Sequence, residues 1–245
     1  MNRQAQAVVL LLVGGAVLRA SLTDLYLRYV KQGLRPFLIA AGILLVAAAI
    51  ATLWYELRKP ADKDHEDEHE HDDDGHGHAH GGPKVAWLLI LPVLGLLLVA
   101  PPALGSYAAN RSGTALQQTD EDFAPLPSGD PVKISVLDYA SRAVFDQGKS
   151  LANRRVQLSG FLTAGDDGTW YLTRMILSCC AADARPIKVA LSGQLPDGLS
   201  ADGWLRITGT YVAKTAKDPV NGERIPYLDV SEAEVIAAPA EQYES

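Results

Sequence analysis

RVQLSGFLTAGDDGTWYLTRMILSCC, residues 155–180, decides the reading of the C-terminal half. Apolar and polar side chains alternate over 155–163, Gly165-Asp166-Asp167-Gly168 supplies a turn, and 169–178 resumes as a second strand. Further strands are predicted at 186–191, 204–212 and 227–237. A helix precedes them over 135–147, where Val136, Tyr139, Ala140, Ala143 and Val144 fall at helical spacing and Gly148 stops the run. Five short strands in about ninety residues, with Gly160 and Gly209 where a strand must bend, predict an OB-like five-stranded barrel with one preceding helix. A sandwich fragment is the alternative. Tyr171 and Trp204 are expected in the barrel core. The domain is expected over 131–245, behind a Ser/Thr/Gln/Asp/Pro-rich linker at 108–130.

Upstream the chain changes character. Residues 36–54 and 85–110 contain no charged side chain, and stretches of that length read as membrane spans. Residues 5–18 form a shorter apolar run closed by Arg19. Leu18 and Ala20 make a poor cleavage site for a signal peptide, and Arg19 can snorkel to the headgroups, so this run is read as a third span. The expectation is therefore an α-helical membrane region over 1–107 with spans at about 5–22, 36–54 and 85–107, the last kinked by Pro92 and stopped by Pro101-Pro102. Arg28, Tyr29, Lys31 and Arg35 between the first two spans have the composition of an interfacial anchor. The expected location is the cell membrane, multi-pass, with the lipid bilayer as one partner.

Between the second and third spans, 57–82 is a hydrophilic loop that holds all six histidines of the chain, His65, His69, His71, His76, His78 and His80. Carboxylates occupy many of the intervening positions. Imidazole with carboxylate suits Zn2+, Ni2+ or Cu ions, and a chain too polar to bury a core would bind several of them weakly. A solvated acidic linker that tolerates histidine is the plainer reading.

The two cysteines, Cys179 and Cys180, are adjacent, so no disulfide framework is available. On a continuing strand one sulfur would face the core and the other solvent. Three readings stand: a small buried hydrophobe with an incidental neighbour, a soft metal site with Asp183 as a third donor, or a strained vicinal disulfide. With no histidine outside the loop, the folded domain lacks a Ser-His-Asp or Cys-His arrangement, and no enzyme activity is expected. The net charge of -7 sits mostly in the His loop, so there is no basic patch for nucleic acid. No organic cofactor is expected.

Topology separates the two candidate metal segments. If the second and third spans both cross, the His loop and the barrel lie on opposite sides of the membrane. Basic residues flank both loops nearly equally, and Arg3 tips the balance toward an inside N-terminus, a cytoplasmic His loop and an extracytoplasmic barrel.

Arg174, Cys179, Cys180, Asp183, Ala184 and Pro186 form the pattern R-x-x-x-x-CC-x-x-DA-x-P, preceded by Gly160 and Tyr171 and followed by Trp204 and Gly209. With three N-terminal spans, it resembles the YcgQ-type bacterial membrane proteins over nearly the whole chain. The resemblance implies an accessory subunit paired with a separate multi-span permease, in some members linked to zinc limitation, and it raises Cys179, Cys180 and Asp183 as site residues. The His loop is not part of that pattern. The expected function is thus a permease accessory subunit handling or sensing a divalent transition metal, foremost zinc. A membrane-anchored protein-interaction module with a structural Cys pair and a thiol-redox membrane protein are the alternatives.

Overall fold

The computed structural model describes residues 3–58, 95, 101–116 and 123–244, which fall into two compact units. The expected third span and the His loop lie outside the described residues, apart from Leu57 and Arg58, Gly95 and 101–107.

The first unit contains α1 (Arg3–Leu22) and α2 (Arg35–Arg58). Gly14 lies against Leu45 and Val46, Gly42 lies against Leu18, and the Arg35 Nε–H donates to the Ser21 carbonyl at 3.0 Å, so the helices run antiparallel. Their buried positions are small and recur every seven residues: Ala7, Gly14 and Ser21 on α1, Gly42 and Ala49 on α2. Seven-residue spacing keeps one seam facing the partner helix, and small residues let the backbones approach closely. The large apolar side chains point the other way, with Phe37 71% and Leu44 69% exposed. That arrangement inverts a water-soluble helix pair. Among the described residues one helix, Gln32–Arg58, is long and apolar enough to cross a membrane. The apolar part of α1, Gln6–Leu22, is shorter, because Arg3 and Gln4 open the helix and Arg19 sits near its end. Against the three spans expected, one is therefore seen at full length.

The second unit comprises Tyr26–Gln32 and the chain from Pro102 onward. It contains α3 (Ser106–Arg111), β1 (Val132–Lys133), α4 (Val136–Phe145), β2 (Arg155–Ala164), β3 (Trp170–Ile176), β4 (Arg185–Gly193), β5 (Trp204–Lys217), β6 (Arg224–Ile236) and β7 (Tyr243–Glu244). Strands β2 to β6 close a barrel in the order β2-β5-β6-β4-β3, with β3 returning to β2. Only β4 and β6 pair in parallel within it, and the closed five-stranded barrel behind one helix is the architecture expected. The sandwich alternative is excluded by the β2–β3 closure.

The two glycines read as bends mark close backbone approaches. A Cβ on Gly160 would sit 2.6 Å from the Thr173 carbonyl oxygen, and one on Gly209 would strike the Asp229 carbonyl at the bulge where β5 shifts register against β6. Helix α4 starts where Ser135 accepts the Asp138 N–H on its side-chain oxygen. It closes the core with Val136, Tyr139, Ala140 and Ala143 against Leu158, Leu172, Ile187 and Leu228. Tyr171 and Trp204 are both 8% exposed, but neither enters the barrel core as expected: their neighbours Leu172 and Leu205 do, and alternation turns Tyr171 outward onto Ala190 and Ile225 and Trp204 outward onto Phe161 and Met175.

Part of the segment expected as linker is docked. The Ala115 N–H donates to the Pro186 carbonyl at 2.9 Å, and Thr114 is buried. Lys188 and Asp218, buried together at 2.9 Å, hold it: Lys188 also donates to the Ser112 carbonyl, and Asp218 accepts the Thr114 N–H. A polar composition without periodicity concealed this because the attachment uses main-chain groups and one buried ion pair, not an apolar face.

Candidate metal-binding turn

β3 ends at Ile176, and the chain leaves the sheet before the cysteines. The alternation that would have sent the two sulfurs to opposite faces therefore stops short of them. Leu177 is still anchored, its N–H donating to the Glu244 carbonyl at 3.0 Å, and from Ser178 the backbone wraps around the Asp183 carboxylate. Oδ1 accepts the Ser178 N–H at 3.0 Å, while Oδ2 accepts the N–H groups of Cys179 at 2.8 Å and Cys180 at 3.3 Å. A short 3-10 turn, Ala181–Asp183, returns the chain to β4.

The result brings together the three residues expected from the sequence. Sulfur atoms of Cys179 and Cys180 and a carboxylate oxygen of Asp183 all lie within 4.8 Å of one another. Both thiols are free, with Cys179 exposed and Cys180 half-buried. The buried-hydrophobe reading of the pair is thereby corrected: neither sulfur belongs to a core cluster, because the strand ended too early to point one inward. The six loop histidines lie outside the described residues.

The carboxylate governs the thiols. A hydrogen bond from Cys179 to Asp183, followed by one to Cys180, raises the Cys179 pKa from 9.0 to about 11. The same thiol, with the backbone N–H groups, holds Asp183 at about 2. At neutral pH the turn is thus a carboxylate with a protonated thiol. A metal ion would displace the thiol proton, and two sulfurs with one oxygen would leave an open position in a tetrahedral set.

Sequence reasoning missed the segment that holds this turn. Of residues 26–35, read as an interfacial anchor, Tyr26–Gln32 belongs to the barrel unit. Val30 pairs with Cys180 as an antiparallel bridge, the Lys31 N–H donates to the Cys179 carbonyl at 3.1 Å, and the Ala181 N–H donates to the Tyr29 carbonyl at 2.7 Å. The motif arginine also has a positional role. Arg174, buried in β3, stacks over the Trp204 ring at 5.0 Å and donates to the carbonyls of Glu241 and Tyr243 at 3.3 Å. It fixes β7 beside β3, from where the Tyr243 hydroxyl donates to the Arg28 carbonyl at 3.1 Å. No side-chain pattern marks these contacts, since most run through main-chain atoms.

No match was found among curated proteins or among solved structures. Residues 135–244, which hold α4, the whole barrel and the Cys-Cys-x-x-Asp turn, match the DUF1980 C-terminal domain, so this part of the chain carries that domain, consistent with the YcgQ-like resemblance of its sequence.

Proposed function

We propose that the chain is a multi-pass membrane protein that serves as the accessory subunit of a separate multi-span permease and binds a divalent transition metal, zinc first, at Cys179 and Cys180. The observation that carries the reading is the turn itself: two free sulfurs and a carboxylate oxygen within 4.8 Å, at an accessible position. Asp183 shapes the turn and supplies the third donor. Thiolate pairs suit zinc and copper, and an incomplete ligand set suits an ion that is sensed or handed on.

Two features support the membrane part. Small residues inside and large apolar residues outside make the α1–α2 pair fit a bilayer, where close packing replaces a hydrophobic seam. The chain order also gives a topology. Tyr26–Gln32 precedes α2 and bonds to the Cys turn, while the His loop follows α2. If α2 crosses, the Cys turn and the His loop lie on opposite sides, and the chain must cross again before Pro102. With Arg3 inside, the turn is extracytoplasmic and the loop is a cytoplasmic buffer for the same class of ion.

A second reading has its own observation. The carbonyl of Cys179 and the N–H of Ala181 are bonded to Tyr26–Gln32, so the turn can be a purely structural clasp in a protein-interaction module. The thiol-redox reading is weakened by Cys179, whose raised pKa makes it a poor nucleophile near neutrality. Zinc calorimetry on the full chain in detergent, under reducing conditions, separates the first two. The metal reading expects a tight class of sites lost in Cys179→Ser/Cys180→Ser and a weak class lost when the six histidines become alanine. Tight binding that survives the double cysteine variant refutes it.

A further inference from the structure

A cavity of about 430 Å³ opens beside the Cys turn, lined by Ala115, Leu137, Ser141, Ile176, Ser178, Asp183 and Arg185. Its size is within the range of small-molecule sites, about 300–1,000 Å³. Its chemistry is unusual in three ways. Asp183 and Arg185 face one space with opposite charges and do not pair: among the described residues Arg185 takes part in no ion pair, and the partners of Asp183 are backbone N–H groups and the Cys179 thiol. Each carboxylate oxygen of Asp183 has more than one acceptor site, and Oδ1 takes one backbone N–H, that of Ser178. Ser141, on α4 and 8% exposed, has a hydroxyl with no partner among the described residues. A hydroxyl that opens on a cavity without a protein partner is available to a ligand.

We infer that this cavity binds a small zwitterion of the α-amino-acid class, its carboxylate on Arg185 and Ser141 and its ammonium on Asp183. An anion alone would be repelled by Asp183 and a cation alone by Arg185. A molecule carrying both charges two bonds apart satisfies the pair. Leu137, Ile176 and Ala115 form an apolar wall that suits an aliphatic side chain. Arg185 is exposed and can take a carboxylate in two parallel hydrogen bonds. The site does not depend on metal binding, although Asp183 is common to both and would couple them.

The test is calorimetry on the full chain in detergent, with the twenty common amino acids as probes, followed by 4-methylpentanoate and leucinamide, which lack the ammonium and the carboxylate respectively. Saturable one-to-one binding of at least one aliphatic amino acid is expected, with each analogue weaker by about tenfold or more for the loss of a charge-assisted contact. Arg185→Gln should abolish binding and Ser141→Ala weaken it, while the zinc titration of Arg185→Gln stays as in the wild type. That last comparison keeps the two sites distinguishable. Saturable binding by none of the twenty, affinity unchanged in Arg185→Gln, or equal binding of 4-methylpentanoate overturns the inference.

Discussion

Replacing Lys188 with methionine tests how the segment before the barrel is held. The Lys188 side chain is 4% exposed and that of Asp218 is fully buried, with Nζ 2.9 Å from Oδ2. Asp218 also accepts the Thr114 N–H on Oδ2 and the Val220 N–H on Oδ1, both at 2.9 Å. Methionine fills much of the lysine volume but removes the ammonium, leaving a buried carboxylate balanced only by two backbone donors. Breaking a buried pair from one side costs about 3–5 kcal/mol, and the two remaining donors place this case near 3 kcal/mol. For a domain of this size that is a fall in Tm on the order of 10 °C. Near-ultraviolet circular dichroism of the full chain in detergent would follow it. Lys188→Met/Asp218→Asn, which removes both charges and keeps an acceptor for Thr114, should recover more than half of the loss. A single variant melting within about 4 °C of wild type, or a double variant as unstable as the sum of the two singles, would refute the assignment of this pair as the anchor.

Three further outcomes are expected. Gly160→Ala, whose Cβ meets the Thr173 carbonyl oxygen at 2.6 Å, should cost about 1–3 kcal/mol by forcing β2 off β3, read as a lowered Tm. In a Cys180→Ser background, Asp183→Asn should speed iodoacetamide alkylation of Cys179 at pH 8 by about tenfold or more, because the hydrogen bond to Asp183 is the largest cause that raises this thiol and its loss lets the pKa fall toward 9.0 and exposes more thiolate. Reactivity that stays flat would show that Asp183 does not hold the thiol proton. Zinc affinity should rise with pH across 6–9 by about tenfold per unit for each thiol proton displaced, since Cys179 stays protonated up to about 11 and Asp183 stays ionised down to about 2. A pH-independent affinity measured by chelator competition would mean the thiols are not ligands.

The barrel was legible because residues 155–163 alternate, the other strands are short apolar runs, and the breaks fall at Gly165-Asp166-Asp167-Gly168 and at two crowded glycines, although β3 and β4 are buried on both faces and show no period of two. The edges were not: β5 extends to Lys217 and β6 begins at Arg224, past the expected 212 and 227, because the bulge between Val212 and Thr215 lets the pairing resume through Pro226. β1 and β7 are two residues each, too short to carry any periodicity. At the site, residue types and spacing gave Cys179, Cys180 and Asp183, but not their convergence, which depends on where β3 stops. Tyr26–Gln32 was the largest omission. Its aromatic and basic side chains suggested an interface, whereas its bonds to the Cys turn are made by backbone groups that every sequence possesses. Ser141 and Arg185 could not be singled out either, since a lone serine and a lone arginine have no pattern until a cavity joins them.

X-ray absorption at the zinc edge of the full chain loaded with one equivalent of zinc, under reducing conditions, tests the metal assignment most directly. The account predicts two sulfur scatterers at about 2.3 Å with oxygen completing the shell, and their disappearance in Cys179→Ser/Cys180→Ser. A shell made only of nitrogen and oxygen at about 2.0–2.2 Å, unchanged by that substitution, would contradict it and leave the turn as a clasp for Tyr26–Gln32.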